Sequence, residues 1–97
     1  MKYHSTRNKS LSYDFRSIFE RGLAPDGGLF IPKEIIRFSE EDLSKLGKLS
    51  YLDLATEIIH SFCKENFSKD NVSKIVKKSY SKFQHKDVVD IKKFEDL

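Results

Sequence analysis

The chain has 97 residues, enough for one domain with a small core. Charged residues make up 34% and hydrophobic ones 38%, so the core that its Phe, Ile, Leu and Tyr residues can build is marginal and suited to leaning on a larger protein. A net charge of +3, from 18 basic and 15 acidic residues, does not demand an anionic partner, and the single Cys63 excludes an internal disulfide.

In chain order, Lys2 to Thr6 reads as a short strand, with Tyr3 facing one way and His4 the other. Arg7-Asn8-Lys9-Ser10 is a polar connector. Ser12 is the expected N-cap of a first helix, with Asp14 in its first turn and Phe15, Ile18 and Phe19 on its apolar face. Gly22 stops that helix. Pro25-Asp26-Gly27-Gly28 then dictates a tight turn. Pro fixes φ, Asp bonds its own downstream backbone, and the two glycines supply positive φ. Leu29 to Ile31 is an apolar, buried strand expected to pair with Lys2–Thr6, with Pro32 ending the pairing.

Ser39-Glu40-Glu41-Asp42 caps a short helix with Leu43 and Leu46 on its apolar side, ended by Gly47. Ser50 caps the next, with Asp53 completing a short capping box and Tyr51, Ala55, Ile58, Ile59 and Phe62 as its stripe. Ser68 caps the last helix, where Val72, Ile75, Val76, Ser79, Tyr80 and Phe83 form another stripe. The two longer helices should pack as an antiparallel hairpin. The tail is polar until Val88-Val89 and is expected to cross into a further domain. Met1 reads as a natural N-terminus, and Lys92–Leu97, without any stop logic, as a cut inside a longer protein. The expected fold is a small α+β domain, three to four helices packed with a two-stranded β-ribbon. Nothing in the sequence has the run of a signal peptide or a membrane span, which with one Cys points to the cytoplasm.

Few residues carry chemistry. His4, His60 and His85 are far apart. His60-x-x-Cys63 offers two ligands one helical turn apart where zinc wants three or four, so no metal site is assigned. Cys63 lacks a facing base and reads as filler. Glu40, Glu41 and Asp42 are explained by a helix first turn. The Lys74, Lys78, Lys82 row, with Lys77 and Lys86, is best read as a solvated face, and no nucleic-acid partner is assigned. Gly27-Gly28 lacks a phosphate loop's spacing and leads into a strand. Ser5, Thr6 and Arg7 have no evident packing role. With Asp26 they are the candidate site residues, either an interdomain contact, the favoured reading, or a group near a substrate phosphate.

Four ordered pieces carry a family resemblance. Gly22-Leu23-Ala24-Pro25-Asp26-Gly27-Gly28-Leu29-Phe30-Ile31-Pro32 resembles a segment near the N-terminus of threonine synthases. Met1-Lys2-Tyr3-His4-Ser5-Thr6-Arg7 resembles the family's opening, Leu49-Ser50-Tyr51-Leu52-Asp53-Leu54-Ala55 a helix start, and Ser79-Tyr80-Ser81-Lys82-Phe83 a looser later piece. Asn8 stands where the family usually has Gly. The resemblance implies an N-terminal accessory domain at 1–87 and the start of a linker at 88–97. The parent enzyme would be a pyridoxal-5'-phosphate-dependent lyase converting O-phospho-L-homoserine and water to L-threonine and phosphate. Its cofactor lysine and phosphate loop would lie downstream, so the resemblance implies no catalytic or cofactor-binding residue in this chain. Its partner would be the catalytic domains of the same polypeptide. A related phospho-lyase of different substrate, or a free-standing basic helical module, are the alternative readings.

Overall fold

The computed structural model describes residues 1–83. In chain order these form β1 (Tyr3–Ser5), α1 (Phe15–Arg21), β2 (Phe30–Pro32), α2 (Glu40–Leu46), α3 (Tyr51–Cys63) and α4 (Lys69–Tyr80). The architecture is the expected α+β one, four helices and a two-stranded antiparallel sheet. His85, Lys86, Val88, Val89, Ile91 and the proposed boundary at 87 lie outside the described residues. Among the described residues no helix is long and apolar enough to cross a membrane.

The ribbon pairs Tyr3 with Pro32, His4 with Ile31 and Ser5 with Phe30. Pro32 does not end the pairing, because Lys33 N–H donates to Lys2 O at 2.8 Å beyond it. Ladder bonds fall at Lys33–Lys2 and at Thr6–Leu29, where Thr6 N–H donates at 2.8 Å. Pro32 thus occupies a position that needs no donor. The Leu29–Ile31 run is also less buried than its composition suggests, with Leu29, just before β2, 60% exposed and Ile31 38% exposed.

The first helix starts later than Ser12. Tyr13 is held extended against the free edge of β1, exchanging N–H to O bonds of 2.8 and 2.9 Å with Tyr3. Only after that bridge can the chain coil, so Asp14 is the N-cap, at φ −87° and ψ 171°. Its Oδ1 accepts from Ser17 N–H at 2.9 Å and its Oδ2 from Asn66 Nδ2 at 3.1 Å. The Ser17 bonds, then Asn66, hold the Asp14 carboxyl at about 2 against an ordinary 3.8. A depressed folded pKa stabilises the fold above the unfolded value and is lost as pH falls through the folded one. The acid limb of the wild-type stability profile should therefore descend between pH 3.8 and about 2. Asp14→Asn keeps a capping oxygen without the titration, and should flatten that limb in urea melts run from pH 5 to pH 2. An unchanged slope would remove Asp14 as its source.

Serines cap the other helices as expected. Ser39 forms a reciprocal box with Asp42, whereas Ser50 accepts from Asp53 N–H at 3.2 Å without the return bond, so the full box belongs to α2 rather than α3. Ser68 accepts from Asn71 N–H at 3.2 Å. The core sits where α3 and α4 pack together, on the buried Cys63, Val72 and Val76. Phe15 brings α1 to it, its ring 6.1 Å from Phe67 and 6.3 Å from Tyr3. The Tyr3 hydroxyl donates to Phe62 O at 2.6 Å and fastens the ribbon to the end of α3. The α3 stripe is only half correct. Tyr51, Ile58 and Ile59 are exposed, and Thr56 and Cys63 are the buried positions. Thr56 is tolerated inside because its hydroxyl donates to Leu52 O at 2.9 Å.

Candidate functional site

At the end of the ribbon the chain closes a compact polar knot. Pro25 and Asp26 occupy the middle of a turn in which Gly27 N–H donates to Ala24 O at 3.0 Å, and Gly27 has φ +81°. Asp26 Oδ1 reaches forward to accept from Gly28 N–H at 2.9 Å, the self-bonding expected of Asp in a turn. The same oxygen accepts from Ser5 Oγ at 2.7 Å. Ser5 Oγ in turn accepts from Arg7 N–H at 3.1 Å, and Thr6 Oγ1 accepts from Leu29 N–H at 3.0 Å. Arg7 Nη1 donates to Asp26 O at 3.1 Å. The bond from Ser5, then that from Gly28, with Arg7 nearby, holds the Asp26 carboxyl below its ordinary range.

All four candidate residues therefore meet. They do so with different roles than their sequence positions suggest. Ser5 is fully buried and is the structural centre of the knot, not a residue without a packing role. Thr6 and Asp26 tie the two strands' ends to the turn. Arg7 is exposed and is the cation among them, its guanidinium steadied by the Asp26 carbonyl. Such a fork is suited to an oxyanion. Asn8 keeps the turn after Arg7, its N–H donating to Ser5 O at 3.2 Å and its Oδ1 accepting from Ser10.

Gly28 contributes space rather than positive φ, which of the pair only Gly27 supplies. A Cβ on Gly28 would collide with Ser5 Oγ and lie 2.9 Å from Thr6 Oγ1. Sequence reasoning missed this, since which side chains crowd a glycine depends on the register of the opposite strand. The N–H groups of both glycines are consumed inside the turn, which removes them as a phosphate cradle.

Elsewhere the chemistry-bearing side chains are engaged by backbone. His60 Nε2 lies 3.1 Å from Phe67 O, and Cys63 Sγ donates to Ile59 O at 3.3 Å. Burial pushes the Cys63 thiol up, away from reactivity. Buried His4 has Nδ1 2.8 Å from Ser5 O, an interaction the sequence did not suggest. Lys74 pairs with Asp70 at 3.1 Å on an exposed face shared with Lys77, Lys78 and Lys82. Among the described residues no three His, Cys, Asp or Glu side chains group as metal ligands.

The scaffold that carries the knot recurs in known proteins. A family model described as threonine synthase N terminus matches residues 2–80. Threonine synthase-like 2 of Xenopus laevis is 34% identical over 92 residues, 94% of this chain and 20% of its own length. Threonine synthase of Methylobacillus glycogenes is 40% identical over 80 residues, 82% of this chain and 17% of its own length. The crystal structure of threonine synthase from yeast superimposes with a TM-score of 0.83 at 34% identity, covering 89% of this chain and 18% of that one. That of Escherichia coli threonine synthase, at 20% identity and TM-score 0.79, shares the fold. The chain spans about a fifth of the length of these relatives. With its ribbon, turn and helices matched from residue 2 to residue 80, the chain belongs to the threonine synthase N-terminal domain family.

Proposed function

We propose that the chain serves as the N-terminal accessory domain of a longer, cytoplasmic enzyme that converts O-phospho-L-homoserine and water to L-threonine and phosphate. The observation that carries this is the family match over residues 2–80, in relatives about five times the chain's length. Pyridoxal phosphate, when bound in such an enzyme, supplies the electron sink for the reaction. The residues described here do not fit it. A lysine that forms a Schiff base is activated in a desolvated pocket, and every described lysine is exposed. No step is therefore assigned to this chain's side chains.

What the domain contributes is position. The Ser5–Asp26 bond and the Gly-Gly turn fix Arg7 at the surface, where it pairs with a carboxylate of the catalytic part or lies beside the substrate's phosphate. The interdomain pairing is the reading we favour. Closing the site against water is the remaining part such a domain plays.

The expected result is phosphate release from O-phosphohomoserine by the product of a reading frame extended past Leu97, purified with pyridoxal phosphate, and none from the 97-residue chain. Turnover by the short chain, or an inert long form, would overturn the reading. The alternative reading is a lyase of a related phosphorylated amino alcohol. A long form that releases phosphate from such a compound, but not from O-phosphohomoserine, would select it.

A further inference from the structure

Between α1, α3 and α4 lies an open groove of about 560 Å³ whose floor is the buried core. Its walls are Phe19, Ile59, Ile75 and Phe83, which are 77%, 41%, 56% and 50% exposed. No charged side chain lines it. An apolar surface of this kind marks a face made to be covered.

We infer that this groove is the seat of an apolar surface on the catalytic part of the longer polypeptide. The inference rests on the accessory-domain reading above. Two observations choose this occupant. The chain accounts for about a fifth of its relatives' length, so a large body of protein has to rest against a small domain. And Phe83, the last described residue, is itself on the groove wall, so the chain that continues from it is attached at the groove's edge. Whatever follows is tethered there at high effective concentration. The absence of charge along the lining argues for an apolar partner over nucleic acid.

A second apolar patch, around Ile31, Ile35, Phe38 and Ile58, serves as the internal control. Its lining does not include Phe83, does include Glu34, and carries Ile35 at 87% exposure.

The test compares Ile75→Glu, Phe19→Glu and Ile35→Glu in the extended form. Ile75 is exposed on α4, so its variant should keep the helical circular dichroism of the 97-residue chain. Expected are proteolytic release of the N-terminal domain roughly tenfold faster in the two groove variants, no change in the Ile35 variant, and a fluorescent hydrophobic dye that is clearly brighter on the wild-type 97-residue chain than on the extended one, with Ile75→Glu dimming it on the short chain only. Unchanged release in the groove variants would overturn the inference. So would a dye-dark monomeric 97-residue chain, which would mean residues 84–97 already fill the groove. A dye-dark dimer broken by Ile75→Glu would also overturn it, by assigning the face to a second copy. Release is read without substrate, so an extended form inert toward O-phosphohomoserine would sink the proposed reaction while leaving this result standing.

Discussion

Gly28→Ala is expected to destabilise the domain by about 3 kcal/mol, the upper end for overpacking a filled site. The melting temperature should fall by about 15 °C for a domain of this size. The methyl would meet Ser5 Oγ, Thr6 Oγ1 at 2.9 Å and Asp26 Oδ1 at 3.0 Å. None is the loose end of a long side chain. Ser5 Oγ is fully buried and bonded on both sides, and Asp26 Oδ1 accepts two bonds that the methyl would pry apart. Gly27→Ala makes the comparison. Its φ of +81° is strained for alanine, but its nearest neighbour is Arg7 Nη1 at 3.1 Å, the tip of an exposed chain that can swing away. That variant should cost about 1 kcal/mol. Denaturant melts of the two proteins give the order directly. If Gly27→Ala were the more damaging, conformational freedom rather than space would be what the glycine pair supplies.

The contrast between these glycines shows where sequence reasoning reaches and where it stops. Turn chemistry is local. Pro25-Asp26-Gly27 names its own geometry, and Asp26 bonds its own turn as residue type dictates. Serine caps are local too, so Ser39, Ser50 and Ser68 open α2, α3 and α4 as expected. Apart from the capping box, which is complete at Ser39–Asp42 and not at Ser50–Asp53, the errors come from partners distant in sequence. Ser12 lost the cap to Asp14 because Tyr13 is claimed by the edge of β1. Ile58 and Ile59 fit a helical stripe, yet they face the second apolar patch and the open groove instead of a filled core. The candidate residues were found because Ser5, Thr6 and Arg7 are polar where a strand end has no need of them. That Ser5 is the buried keystone and Arg7 the exposed arm depends on strand register, which no local pattern encodes.

Phe15→Ala should cost about 3 kcal/mol, the low end for a phenylalanine truncation because the ring is only half-buried. Its importance lies in what the ring connects. It faces Tyr3 on the ribbon, Phe67 before α4 and, at 5.9 Å, Phe19 on its own helix. The buried hydrophobic residues are only Tyr3, Ala24, Cys63, Val72 and Val76 among those described, so the whole domain should stand at about 5 kcal/mol, toward the low end for its length. A loss of this size then leaves little in reserve. It should also be uneven. α3 and α4 keep their mutual packing without the ring, whereas α1 has few other attachments. Hydrogen exchange should therefore show α1 amides nearly unprotected in the variant while those of α3 and α4 slow measurably less than in wild type but remain protected. Equal loss in all three helices would mean that the domain opens only as one unit. If the uneven result holds, α1 is the movable wall of the apolar groove, since it carries Phe19. A partner seated in the groove would then restore protection to α1 before any other element, and the marginal core would find in that partner the apolar contact its own sequence is too short to supply.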